Sequence, residues 1–545
     1  MCGIFVCIGT VQINLQDLLK YINAIKHRGP DRTSIRLFPT GDGGQVIMAF
    51  HELSIMDSPT TTKYQPFEYH GYACICNGEI YNYMYLFKHM LKNYHRETEN
   101  DCEVILPLFI KFHQKIAGYI RGEYAMVIKC PDGSLFAMRD HRGIRPLFIG
   151  TDKSQMILAS ESKAIPPGFA VMQFPPGHYW YSTKQDEFVS FIDLKPEYMS
   201  RKYITATRCV DSSAMLSTFT EQARTIRNEL IDSVEERLKI GADKHDVGFL
   251  VSGGLDSSSI VCLAKMLDHK HNIRCFTIGL TNDSHEPFQS SDTEAAKKLC
   301  EYLSLPLTIV PFTISEGIAA VPKVIEAFET YDVTTIRAGV PMYLLAKYIR
   351  ENTNIKVVLS GEGSDELFGG YIYTKNAPTL DDLYRDNIRL LNQIHYYDVL
   401  RADRAMASWG LELRVPFLEK NFIDYVQKIH PFFLSEHTQI VYPEQNINIK
   451  SKLNKMLLRM AMAGLLPESI LFRKKEAFSD GVSRAWRQSL INHAETNEKT
   501  SEKEWYLGVF DKLYPDRRHL IPGLWMPRWA DVTDPSATVL PDYSE

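Results

Sequence analysis

Short apolar runs and amphipathic stretches alternate through the second half of the chain. Val247-Gly248-Phe249-Leu250-Val251 is a brief apolar run and predicts a buried strand. Ser259 to Met266 is mostly apolar and small, without Pro or Gly, and predicts a helix behind it. Arg274 to Leu280, Leu307 to Val310 and Lys356 to Leu359 predict further strands, with an amphipathic helix over Asp292 to Leu303. Strand and helix in alternation predict a doubly wound parallel sheet, an α/β domain whose ligands sit at the carboxyl ends of the strands. Phe219 to Ile240 reads as a long helix leading in, and the stretch from Arg401 to Leu418 as helices with a turn between. The first half is built differently. Short strands separated by turns dominate it and predict stacked sheets with flanking helices, an α+β unit. In it, Cys76 to Asn82 reads as a strand ending in an Asn77-Gly78 turn, and Asp101-Cys102-Glu103 opens an apolar helix. Between about Asp193 and Thr218 the sequence is polar without a period, which places a domain boundary there. The expected division is 1–193, a linker over 194–218, and 219–545. Trp505 to Tyr514 predicts a last helix and the remainder a flexible tail.

At 545 residues the chain is too long for one core, in agreement with that division. A formal net charge of −5, with no basic block, speaks against nucleic acid as a partner. No apolar run approaches the roughly 20 residues of a membrane helix, and the first residues lack the pattern of a signal peptide. Ten cysteines without a CxxC pair indicate neither a disulfide frame nor a structural zinc site, so a cytoplasmic, reducing setting is expected.

The chemistry gathers at Ser252-Gly253-Gly254-Leu255-Asp256-Ser257-Ser258. Strand, glycine-rich turn and helix make an anion cradle: the glycines admit a phosphate and the helix start aims N–H groups and its dipole at it. Ser252, Ser257 and Ser258 add neutral donors. The loop has no Lys, so it is not the GxxxxGK[ST] loop. Asp256 beside phosphates calls for an intervening cation, and we read it as a Mg²⁺ ligand. A second glycine-rich turn, Ser360-Gly361-Glu362-Gly363-Ser364-Asp365-Glu366, follows another strand, and its three carboxylates repel one another unless a metal or substrate offsets them. At the other end of the chain stands Cys2. Once Met1 is removed, Cys2 carries a thiol and a free α-amine that titrates near pH 8 and can serve as the base for that thiol.

Taken with the polar segments Lys26–Asp31, Ser54–Asp57, Cys76–Asn82, Arg139–Leu147, Ser160–Ala164 and Pro175–His178, these loops give the chain a resemblance to the glutamine-hydrolysing asparagine synthetases from end to end. The resemblance implies an N-terminal-nucleophile α/β/β/α sandwich that hydrolyses glutamine, followed by an ATP pyrophosphatase domain with Mg²⁺ and ATP as co-substrate. It implies that Cys2 attacks glutamine, that Asn77 and the Gly78 N–H form the oxyanion hole, and that Leu53, Ile55, Glu79 and Asp101 bind glutamine. In the second domain it implies ATP contacts at Leu250, Ile278, Ser360, Gly361 and Lys455 beside those of the first loop. It also implies a second metal ligand at Asp365, a base for ammonia at Glu362, and an aspartate and ammonia pocket at Thr334, Thr335 and Arg337. Lys474 to Gly481 carries the same likeness and would close over the phosphates. The substrates implied are glutamine, aspartate, ATP and ammonia; the oligomeric state is left open, a homodimer included. One departure matters. The family has an Arg directly before Leu53-Ser54-Ile55, pairing with the glutamine α-carboxylate, where this chain has Glu52 preceded by His51. Losing such a pair costs roughly 1.5–3 kcal/mol, so an ammonia-dependent synthetase with impaired glutaminase is the alternative, with Arg28 or Arg36 as candidate substitutes. A relative acting on another carboxylate, such as a β-lactam synthetase, and a catalytically silent binding protein are further rivals. Cys2 and the Thr330–Ala338 match speak against the first, Asp256 and Asp365 against the second.

Overall fold

The computed structural model describes residues 1–9, 14–41, 43–56, 63–184, 187–192, 212–241, 246–267, 272–284, 286–288, 290–435, 440–442, 447–449, 453–475 and 483–536. Most of the expected linker, the segment 476–481 and the last nine residues lie outside these.

The strand Gly3–Gly9 shows why the first domain is layered. Ile4 and Val6 face one apolar cluster while Phe5 and Cys7 face another, a period of two with both sides covered. Phe5 and Cys7 meet Leu18 and Ile22 of the helix Leu15–Asn23. Ile4 and Val6 meet Ile75, Val127 and Ala137 of a second sheet. The far side of that sheet, with Cys74, Met126 and Met138, is covered by the helices Tyr83–Met90 and Ile105–Phe112. Two antiparallel six-stranded sheets therefore lie between helices, the α/β/β/α sandwich expected. In one sheet Gly3–Gly9 pairs with Gln45–Glu52 and Gln155–Ala159. In the other, Tyr72–Ile80 pairs with Gly122–Lys129. One expectation fails here. Asn77 and Gly78 are not a turn but lie within the strand Tyr72–Ile80, opposite Ala125 and Tyr124, because sheet pairing overrides the local turn preference of the dipeptide.

The second domain is a five-stranded sheet, every pair parallel, in the order Leu307–Thr313, Ile273–Thr281, Val247–Leu250, Val357–Leu359, Glu412–Arg414. Chain order reverses beside Val247–Leu250, so the loops after that strand and after Val357–Leu359 diverge to open a crevice between them. The long helix Ser212–Lys239 begins earlier than expected and adds Phe219, Ala223, Ile226, Leu230, Val234 and Leu238, at intervals of three to four residues, to the core shared with the sheet. Glu412–Arg414, read from sequence as part of a helix–turn–helix, is instead the edge strand. Three residues are too few to show a strand period, and the helix Asp398–Ala407 ahead of it dominates the pattern. The remainder after Tyr514 is not a free tail as far as Ser536: Trp525 N–H donates to Asp332 at 2.7 Å, and Asp534 pairs with Arg337 at 2.9 Å.

The two domains meet through charge. Buried Arg28 joins Glu161 at 2.7 Å and Asp403 at 3.0 Å, and Arg404 joins Glu161 at 2.6 Å and Glu329 at 3.0 Å. Glu123 takes Arg145 at 3.0 Å and Arg237 at 2.9 Å. Ions this deep persist because each is held by several partners.

Candidate active sites

At the crevice of the parallel sheet the two glycine-rich loops touch. Gly253 holds φ +69°, and a Cβ there would stand 2.5 Å from Ala295, so the turn admits no side chain. The helix Leu255–Leu267 starts behind it. A Cβ on Gly361 would lie 2.9 Å from the Ser257 nitrogen, which is how closely the second loop is drawn onto the first. Ser364 Oγ donates to Asp256 at 2.7 Å across that seam. Around it opens a cavity of about 190 Å³, lined among others by Leu250, Ser252, Asp256, Ser257, Ile278, Thr334, Arg337, Ser360, Gly361, Glu362 and Asp365. An apolar wall with a few convergent polar groups is the ordinary form of a nucleotide or small-molecule site.

Two lysines occupy the gap between the carboxylates. Lys455 Nζ lies 2.7 Å from both oxygens of Asp256 and 2.6 Å from Asp365, and Lys475 Nζ lies 2.6 Å from Asp365. Lys455 is 2% exposed. Burial raises the Asp365 pKa, but the two lysines outweigh it and hold the carboxyl well below the usual range. Burial likewise lowers the Lys475 ammonium pKa and the aspartates outweigh it, holding it above the usual lysine range. Two carboxylates facing one cation-filled gap are the donor set Mg²⁺ takes from a protein when phosphates and water supply the rest, so the residues fit that ion. Among the described residues no group of three or more His, Cys, Asp or Glu forms a fuller cage. Glu362 sits at the cavity wall, where burial raises its pKa and Arg401, 3.1 Å away, lowers it; the net is upward.

The other cluster surrounds Cys2. Its backbone N–H donates to Asn77 Oδ1 at 2.8 Å, and Leu53 N–H points at its sulfur at 3.5 Å. Among the described residues Asn77 Nδ2 has no partner although it is buried, a free donor beside Cys2. A Cβ on Gly78 would meet the Glu123 carbonyl oxygen at 2.1 Å, so only glycine lets that strand approach. Asp101 takes the Ile80 N–H at 2.5 Å, and Glu79 stands 3.6 Å from Arg414. Burial pushes Asp101 up to about 6 and Glu79 well above the carboxylate range. Burial also pushes the Cys2 thiol up to about 12, with the Met1 ammonium and the Leu53 N–H pulling it down.

Most of the expected residues converge at these two places. Four are placed otherwise. Thr335 turns away from the cavity and caps its helix, its N–H and hydroxyl both donating to Asp332. Ser258 is fully buried behind the loop and its hydroxyl has no partner among the described residues. Gly253 and Gly254 shape the loop rather than line the cavity. Arg337 is not a surface charge: it is buried, bound to Glu502 at 2.5 Å and Asp534 at 2.9 Å. Neither candidate substitute for the missing arginine serves. Arg28 is fully buried on Glu161 and Asp403, and Arg36 is half exposed beside Glu68. The cation facing Glu52 is Arg32, 3.6 Å away, on the neighbouring strand Arg32–Pro39. Sequence reasoning also missed Gly370, where a Cβ would come within 1.9 Å of Lys455 Cε and 2.1 Å of Asp365 Oδ1. The Gly369-Gly370 pair just past the acidic loop was the available signal.

Comparison with known proteins covers the whole chain. The family model for glutamine amidotransferase domains matches residues 1–179, and that for asparagine synthase matches 225–390 and 375–521. A probable asparagine synthetase (glutamine-hydrolyzing) of Acanthamoeba polyphaga mimivirus is 36% identical over 99% of this chain and 100% of its own length. The asparagine synthetases (glutamine-hydrolyzing) of Homo sapiens and Gallus gallus are each 34% identical over 100% of this chain and 99% of theirs.

Proposed function

This chain belongs to the glutamine-hydrolysing asparagine synthetases, and from that premise we propose how its residues divide the work. It is an ATP-consuming ligase that makes asparagine with nitrogen drawn from glutamine. The boundary between the two activities is set at the linker 194–218.

In the first domain, Cys2, freed of Met1, attacks the glutamine side-chain carbonyl with its own α-amine as base. Charge develops on the carbonyl oxygen toward Asn77 Nδ2 and the Gly78 N–H. Ammonia leaves, a γ-glutamyl thioester remains, and water releases glutamate. Glu79 and Asp101 hold the α-ammonium of glutamine, which ionises them fully on binding. We assign its α-carboxylate to Arg32, whose side chain is 19% exposed and which Glu52 holds at the pocket edge. Leu53 and Ile55 form the adjoining wall.

In the second domain, ATP and the β-carboxylate of aspartate give β-aspartyl-AMP and pyrophosphate, and ammonia displaces AMP to give asparagine. Leu250 and Ile278 flank the base. Ser252, Ser257 and the N–H groups of the first loop, with Ser360 and Gly361 of the second, hold the phosphates. Asp256 and Asp365 would hold Mg²⁺, which when bound neutralises phosphate charge and improves the leaving group. Lys455 and Lys475 stand on those carboxylates and turn to the pyrophosphate as it departs. Thr334 Oγ1, buried at the cavity without a partner among the described residues, and Arg337 shape the aspartate end. Glu362, raised by burial and steadied by Arg401, takes the proton of the attacking ammonia.

The observation that carries this reading is the convergence of Asp256 and Asp365 on one 2.6–2.7 Å lysine contact at the sheet's switch point. We place the protein in the cytoplasm, where a thiol nucleophile such as Cys2 stays reduced. Among the described residues no helix is long and apolar enough to cross a membrane. The test is asparagine formation from aspartate and Mg-ATP with either nitrogen source. Turnover with both is expected. Turnover with ammonium alone would mean that Glu52 disables the first site, and pyrophosphate release with some other acid alone would overturn the substrate.

A further inference from the structure

The amino terminus reaches into the second domain. Met1 is 1% exposed and shares an apolar cluster with Leu53, Ile55 and Ile144. Its ammonium meets Glu412 Oε2 at 3.1 Å, and its sulfur lies 3.9 Å from Arg28 Nη2. The other Glu412 oxygen takes Arg414 at 2.8 Å. Glu412 is 2% exposed, and the Met1 ammonium with Arg414 and Arg145 holds it ionised against its burial.

The proposed chemistry requires Met1 to leave. Glu412 then keeps Arg414 on one oxygen and loses the ammonium on the other. What remains is a recess the size of one methionine, with apolar walls and a buried carboxylate oxygen shaped to receive an N–H donor. A buried charge so exposed to an empty recess is costly until a donor returns. The recess adjoins the nucleophile, because consecutive residues are about 3.8 Å apart and Met1 is bonded to Cys2. The strand that carries Glu412 leads on toward the second site. Glu412 stands on the edge strand Glu412–Arg414, and Ser360 N–H, at the head of the loop bearing Glu362, donates to Arg414 O at 3.1 Å.

We propose that in the trimmed chain Glu412 binds the ammonia released at Cys2, in the position the Met1 ammonium occupies here, and so holds it on the way to Glu362. The proposal rests on the two-site reading above. The α-ammonium of glutamine carries the same chemistry and is assigned instead to Glu79 and Asp101, so the test separates the two.

The full-length protein, with Cys2 confirmed as its first residue by mass spectrometry, is given unlabelled glutamine together with ¹⁵N-ammonium chloride. The ¹⁵N fraction of the asparagine and the asparagine made per glutamate released are read together. Both are ratios and do not depend on how much of a variant folds. Glu412→Gln is expected to raise the ¹⁵N fraction at least threefold and to lower asparagine per glutamate by a similar factor. Glu412→Asp, which keeps Arg414 and the charge but draws back by one methylene, is expected to fall between. Unchanged ratios in both variants overturn the proposal. So does a raised glutamine KM with an unchanged ¹⁵N fraction, which would put the α-ammonium on Glu412. If the unaltered protein releases no glutamate, the two-site reading fails first and takes this proposal with it.

Discussion

A thiol that burial pushes up to about 12 is a poor nucleophile at neutral pH, and removing Met1 brings a base onto the same residue. Cys2→Ala is therefore expected to abolish glutamate release from glutamine while ammonium-fed asparagine synthesis persists; loss of both would refute the separation of sites. Asp101 supplies a pH signature. Its pKa of about 6 in the free pocket means that it is charged above pH 6 and neutral below. As pH falls through 6 the carboxylate loses its attraction for an α-ammonium, and each further unit costs binding up to tenfold. The glutaminase kcat/KM is expected to drop on the acid side with an inflection near 6 that Asp101→Asn removes; a flat profile from pH 5 to 7 would contradict the assignment. Arg32 is tested by Arg32→Ala. Loss of a charge-assisted bond of roughly 1.5–3 kcal/mol predicts a glutamine KM raised about 10- to 150-fold, with ammonium kinetics as the control. A KM unchanged within twofold would leave the α-carboxylate without its proposed partner.

The elements differ in how openly the chain declares them. Val247–Leu250 and Val357–Leu359 were legible because short apolar strands running into glycine loops are local patterns, and the crevice between them followed from strand order alone. The edge strand Glu412–Arg414 was not, since its partners lie on Val357–Leu359, far away in sequence. Asn77-Gly78 misled for the opposite reason: a strong local turn signal sits where sheet register decides. Lys475, Arg401 and Trp525 reach the cavity from separate segments, and only the fold brings them together. Lys455 was named, yet its double grip on Asp256 and Asp365 belongs to tertiary structure. That grip depends on Gly370. Gly370→Ala would drive a methyl into Lys455 and Asp365, and is expected to cut ATP-dependent pyrophosphate release at least 100-fold while glutamine hydrolysis survives. Retained pyrophosphate release would show that the lysine can shift without cost.

Across the whole molecule the seam between domains is ionic and buried. Glu329 ends the helix Ile314–Phe328, receives the N–H groups of Ser162 at 3.1 Å and Lys163 at 2.6 Å, and pairs with Arg404 at 3.0 Å. Glu329→Ala leaves Arg404 with Glu161 alone and strands three donors, the Ser162 N–H and hydroxyl and the Lys163 N–H, and breaking a buried pair typically costs about 3–5 kcal/mol. A lowered melting temperature with glutamate release outpacing asparagine formation is expected, since the seam aligns the two pockets; unchanged melting would deny it that role. The contact between Met1 and Glu412 joins residues 411 apart in sequence. At a ribosome adding roughly 5–20 residues per second, Glu412 exists only some tens of seconds after Met1 has emerged. Until then the first residue is open to an aminopeptidase, and afterwards it is sealed at 1% exposure. If Cys2 is the nucleophile, competence would then be decided during synthesis, by a race between trimming and the folding of the second domain. Chains that lost that race would stay untrimmed for as long as they stayed folded.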